Sequence, residues 1–160
     1  MKKFMLLLFT AVTLYNCSNE IEFNSPAFQA SKDYQLWRAV GFSASIDSEG
    51  ALTLTGTTNF ETVNLKVPSA MVGTFTVGET SSIEAQFIDV NGVVFSTNNR
   101  PDEDVSVYPE LGEIIIEEIE GSNDTFTGTF RFLAFDPAGE TSVGFSSGIF
   151  FKVPRISNPQ

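Results

Sequence analysis

The segment Thr125-Phe126-Thr127-Gly128-Thr129-Phe130-Arg131-Phe132-Leu133-Ala134 is where the sequence commits itself to a fold. Phe126, Phe130, Phe132 and Ala134 fall on one parity, and Thr125, Thr127, Thr129 and Arg131 on the other. Successive side chains of a strand point to opposite faces, so this alternation describes a strand with one face in a core and one in water. Asp136-Pro137-Ala138-Gly139 follows and suits a type I turn, with proline pre-setting φ and glycine completing the reversal. Val143, Phe145, Ile149, Phe151 and Val153 then line the inward face of a closing strand, which makes a long antiparallel hairpin.

The same period-two pattern recurs upstream. Phe42, Ala44 and Ile46 alternate with Ser43, Ser45 and Asp47; Leu52 and Leu54 alternate with Thr53 and Thr55; Val63, Leu65 and Val67 alternate with Thr62, Asn64 and Lys66. Ser48-Glu49-Gly50 makes a turn, and Pro68 ends a strand because it has no ladder donor. Gly73–Gly78 reads as a brief strand, and Glu113–Glu120 as a longer one. Asn91-Gly92, between Ile83–Val90 and Val93–Thr97, predicts a two-residue hairpin with positive φ at both central positions. Ala27-Phe28 and Leu36-Trp37 form a first strand or arm, with Trp37 as a core anchor. Asn98–Leu111 is a long polar loop. About nine or ten short strands joined by tight turns argue an all-β domain, an antiparallel β-sandwich or a flattened calycin-like barrel. A meander of sequential neighbours is the simplest wiring.

Met1–Cys17, MKKFMLLLFTAVTLYNC, sets the expected address. Lys2 and Lys3 precede the apolar run Phe4–Leu14, which is shorter than the ~20 residues a membrane span needs and fits a secretory signal. The run ends at Leu14-Tyr15-Asn16-Cys17, which resembles a bacterial lipobox, although Tyr15 and Asn16 are not its usual small residues. The expected organisation is a lipoprotein signal peptide over 1–16, a tether lipidated at Cys17 over 17–25, a single domain over 26–154 and a tail over 155–160. The acidic Ser18–Phe23 segment that follows serves as an export tag or as a solvated tether.

With Lys2 and Lys3 gone with the signal, 7 basic side chains face 20 acidic ones, a net charge of −13 on 144 residues. Such a surface repels nucleic acid and anionic headgroups. Sixteen Phe indicate a β-rich core, and a lone Cys leaves stability to packing.

Several motifs occur in a fixed order: Leu36-Trp37-Arg38-Ala39, Gly73–Val77, Gly112–Ile116, Thr127–Phe132 and Ser147-Gly148-Ile149-Phe150. In this the chain resembles, from Phe28 to Val153, small Bacteroidota lipoproteins grouped as the domain of unknown function numbered 6252. The resemblance implies an all-β, lipid-anchored protein and transfers no catalytic residue.

The chain has no His, which removes the commonest general base and metal ligand. Carboxylate pairs remain. Glu117-Glu118 are strand neighbours expected on opposite faces, better suited to a charged edge than to cooperation. Asp102-Glu103-Asp104 reads as a solvated acidic loop, with loose Ca²⁺ binding the alternative. No cofactor and no metal is expected. The weak ligand-binding candidates are Tyr34 and Trp37, as stacking platforms, and Arg131, which pairs with a glutamate or holds an anion.

The function expected is a non-enzymatic binding or interaction module on the outer membrane, lipid-anchored and facing the cell surface or periplasm. Its partners are the membrane and an envelope protein or glycan. The alternatives are a barrel-type carrier of a small apolar ligand, its cavity lined by Phe126, Phe130, Phe132, Phe145 and Phe151, or a carboxylate-dependent hydrolase.

Overall fold

The structure, a computed structural model, describes residues 27–78, 80–101 and 111–156. The signal, Cys17 and the tether therefore lie outside the described residues, as does Asp102-Glu103-Asp104. Among the described residues eleven strands form: β1 (Ala27–Lys32), β2 (Gln35–Arg38), β3 (Gly41–Ile46), β4 (Leu52–Thr57), β5 (Thr62–Val67), β6 (Gly73–Thr76), β7 (Glu84–Ile88), β8 (Val94–Ser96), β9 (Gly112–Glu120), β10 (Thr125–Phe135) and β11 (Ser142–Pro154).

All strand pairs are antiparallel, and the order β2-β1-β11-β10-β8-β7-β5-β4-β3 makes one curled sheet that is not closed into a barrel. The curl lays the two ends of this order face to face in a sandwich-like fold. The ring of Phe28, in β1, sits over Gly56, in β4, where a Cβ would come within 2.9 Å of it. The wiring departs from a sequential meander. β5 pairs with β7, while β6 leaves the path to pair with β9, and β1 inserts between its hairpin partner β2 and the distant β11. The reason is the pairing demand of the long β9–β10–β11 unit, whose flanks would otherwise stay open.

The interior is aromatic. Phe28 packs on Trp37, Phe130 and Phe150, with ring centroids 5.3–6.3 Å apart. Phe145 joins Trp37, Phe87 and Phe132 at 4.7–5.9 Å. Such tilted and offset contacts add to the burial each ring already contributes. Phe126, Phe130, Phe132 and Phe145 are all buried in this core, whereas Phe151 is only half-buried.

The closing strand corrects the simple alternation. Val143 and Phe145 face inward, but the next inward positions are Gly148, Phe150 and Val153; Ile149 is exposed and Phe151 only half-buried. Two β-bulges cause this. Between the pairs Phe132↔Phe145 and Phe130↔Gly148, and again between Gly128↔Phe150 and Phe126↔Val153, β11 has one residue more than β10. Ser147 and Lys152 absorb the extra length at φ 49° and 50°. Each insertion flips the parity of everything beyond it.

The Asn91-Gly92 hairpin exists with a different turn. Gly92 has positive φ while Asn91 is not among the positive-φ residues, and a five-residue loop runs from Asp89 to Val93. Asp89 Oδ1 accepts the amides of Asn91 and Val93, and the Asp89 carbonyl accepts from Gly92. The same Asp-x-x-Gly arrangement closes the turns at Asp47–Gly50 and Asp136–Gly139. The aspartate satisfies amides that a two-residue turn would leave to the ladder, which makes the longer loop the stable one.

Candidate functional site

The β1–β2 turn is only two residues long, Asp33-Tyr34, and both lie in the left-handed region, at φ 46° and 68°. Such a turn favours Asn-Gly, and a bulky side chain there costs about 1–2 kcal/mol. The strain is held by β11: Asp33 N–H donates to the Gly144 carbonyl at 3.0 Å, and Gly144 N–H donates to Asp33 Oδ1 at 2.9 Å. The Tyr34 side chain is fully exposed, at 102% of its reference area. Backbone strain of this kind is found most often at ligand sites, which makes the turn a candidate position.

Beside this turn, on the outer face of β10 and β11, lies a cleft of about 340 Å³ lined by Asp33, Tyr34, Arg131, Leu133, Ser142, Gly144 and Ser146, with the edges of Phe132 and Phe145 beneath. Arg131 stands on the wet face of β10, its Nε donating to Glu113 Oε1 of β9 at 3.0 Å. That bond orients the guanidinium, and among the described residues its terminal amino groups have no hydrogen-bond partner. A second hollow on the far side of Arg131 is bordered by Glu113, Thr129, Ser147 and Ile149. An aromatic face, an oriented guanidinium and several hydroxyls thus share one rigid surface. This set can stack a ring and hydrogen-bond its substituents.

Trp37 does not belong to this surface. It is 3% exposed, its ring edge-on to Phe28 and Phe145, and it presents no face for a ligand, which corrects its candidacy as a stacking platform. Its Nε1 donates to Glu61 Oε2 at 2.9 Å, and Glu61 Oε1 takes the Lys32 ammonium, which also lies 4.8 Å from the centroid of the Phe87 ring. β2 alternates, so Trp37 must face inward when Leu36 faces water. The sequence thus names two of the cleft's residues, Tyr34 and Arg131. It misses Asp33, Ser142, Gly144 and Ser146, whose only signal is a β1–β11 pairing more than a hundred residues apart, and it does not say which glutamate meets Arg131, which is Glu113 on β9.

Glu117 and Glu118 are both exposed rather than on opposite faces, because β9 bulges between its pairs with Gly128 and Thr127. β6 pairs with β9 only as far as Ile116, so the two glutamates stand where that edge opens. Among the described residues no group of three or more His, Cys, Asp or Glu side chains is placed to hold a metal ion.

No curated protein and no solved structure matches the chain. A family model does, over residues 24–154, which takes in every described strand. The chain belongs to the family described as a domain of unknown function, DUF6252.

Proposed function

We propose that this protein is an outer-membrane lipoprotein, anchored through Cys17, whose β-domain is a non-enzymatic binding module that engages a glycan in the Tyr34–Arg131 cleft. The carrying observation is the strained, fully exposed Tyr34, pinned by Asp33 to β11 beside a guanidinium that Glu113 already orients. The axial C–H groups of a sugar ring carry slight positive charge and pack on the negative face of a phenol ring. Ser142, Ser146 and the guanidinium of Arg131 line the same cleft, to pair with hydroxyl or acidic substituents. A shallow, hydroxyl-bordered cleft suits a polysaccharide better than the apolar anchor residues of a protein partner.

Calorimetric titration of the protein with a panel of neutral and acidic polysaccharides tests the cleft. Binding should be lost in both Tyr34→Ala and Arg131→Gln while their unfolding midpoints stay close to wild type. Equal binding by all three proteins would remove the cleft from the account. Metabolic acyl labelling of wild type and Cys17→Ser tests the anchor, with label expected only in the wild type.

A further inference from the structure

The turns at one end of β3, β4, β5, β7 and β8 share a chemistry that the cleft does not use. Gly41, Thr57, Thr62, Ile88 and Val94 form one continuous rung across these five strands. Beyond that rung lie the Val40 junction, the Thr58–Glu61 turn and the Asp89–Val93 turn, so they are neighbours at a single rim. Strands spaced about 4.8 Å apart make this rim roughly 20 Å long. Val40, Phe60, Val90, Val93 and Val94 are all exposed on it, Phe60 at 75% and Val40 at 72%. Turns are ordinarily polar, and large apolar side chains gathered on three of them mark a contact surface.

We infer that this rim rests on a zwitterionic phospholipid surface, with Phe60 and Val90 entering the headgroup layer. The inference rests on the lipid-anchored reading above. The occupant follows from where the described chain begins. β1 starts at Ala27, the Phe28 carbonyl accepts from Ala39 N–H at 2.9 Å, and the next amide, Val40 N–H, donates to Thr57 O at 2.7 Å. The tether from Cys17 therefore joins the domain at this rim, and its ten residues reach roughly 35 Å at full extension. An acyl anchor at Cys17 holds the rim within touching distance of the bilayer. The acidic groups at the rim are already engaged: Glu61 pairs with Lys32, and the Asp89 carboxylate caps its own turn. Among the described residues no cationic cluster accompanies the apolar ones, so contact depends on apolar insertion rather than on anionic lipid. The far ends of the same strands carry Asp47 and Glu49 on one turn and the exposed pair Met71-Val72 on another connection.

The test places an environment-sensitive fluorophore at Phe60→Cys, Val90→Cys or Met71→Cys in the full chain, reconstituted in phosphatidylcholine vesicles containing a lipid-borne quencher. Labels at 60 and 90 should be blue-shifted and strongly quenched, and the label at 71 should report water. Labels that all report water on a vesicle-bound chain overturn the rim and leave the anchor standing. A chain that does not stay with vesicles overturns the anchor; its labelled variants are then titrated with the same vesicles, and the absence of a lipid-dependent shift overturns the rim as well. A blue shift that follows protein concentration rather than lipid also overturns it, in favour of a second copy of the chain.

Discussion

From β3 to β7 the ladder runs in unbroken register, whereas from β1 through β11 and β10 to β9 every strand pair carries a bulge. In the regular half, alternation is intact, and Leu52, Leu54, Val63, Leu65 and Val67 all reach the core. In the bulged half, added residues turn side chains outward, and backbone crowds so closely that only glycine fits at some positions. The cleft lies entirely on the bulged half. A bulge re-aims side chains at a local cost, so the regular half supplies stability and the irregular half spends part of it on a shaped surface.

The largest expected effect comes from placing one methyl group in each half. At Gly128 a Cβ would lie 1.9 Å from the Ile115 carbonyl oxygen and 2.5 Å from Phe150 Cζ, so Gly128→Ala must displace backbone. We expect a loss of about 3 kcal/mol or more in urea denaturation. At Gly56 the nearest atoms belong to the Phe28 ring, which can tilt, and Gly56→Ala should cost about 1–2 kcal/mol. Equal losses would erase the distinction between the halves.

Trp37→Phe probes the join between them, since Glu61 lies on the β4–β5 turn and Trp37 on β2. The substitution keeps the aromatic packing and removes the hydrogen bond to a carboxylate, for about 1–2 kcal/mol. No change in the unfolding midpoint would show that Glu61 finds water or Lys32 an adequate replacement.

Tyr34→Gly is smaller and opposite in sign. Relief of the left-handed backbone should raise stability by about 0.5–1 kcal/mol while removing glycan binding. Lower stability in this variant would mean that the ring contributes to folding, and the functional reading of its strain would fail.

The smallest effect is acid-dependent and compares one turn from each half. Backbone hydrogen bonds, led by that from Thr141, hold the Asp136 carboxyl below its ordinary 3.8. At Asp89, desolvation pushes upward, but the amides of Val93, Asn91 and Gly92 prevail and the value is again lowered. A depressed folded value contributes stability that is present above pH 3.8 and lost as pH falls through the folded value. Asp136→Asn and Asp89→Asn should each flatten the fall in stability below pH 4. An acid profile identical to wild type would mean that these caps do not survive as drawn.

The regular half was legible because each of its strands obeys one rule, alternation with one wet face, and its register is continuous. Asp-x-x-Gly turns were visible as punctuation, but Asn91-Gly92 misled: its turn type depends on whether Asp89 can capture two amides, and the dipeptide alone does not say so. Alternation gives the right face at Val143, Phe145 and Val153 but the wrong one at Ile149 and Phe151, because Ile149, Phe150 and Phe151 are all apolar. Which of them faces inward is decided by how Gly128 and Phe130 pair across the bulges, and that is a property of two strands. Tyr34 and Arg131 could be named as candidates from residue type, yet nothing in the sequence places them in one cleft.

By itself, the sequence determined the all-β class, the aromatic character of the core and the positions of most turns, since these follow from side-chain periodicity and backbone preferences acting over a few residues. The tertiary structure alone decided that the sheet stays open, that β6 leaves the meander for β9, and that the Asp33-Tyr34 turn is pinned to β11 beside Arg131. Those outcomes depend on hydrogen bonds and ring contacts between residues up to about 120 positions apart, such as Phe28 with Phe150 and Asp33 with Gly144, whose energies exist only once the chain has folded.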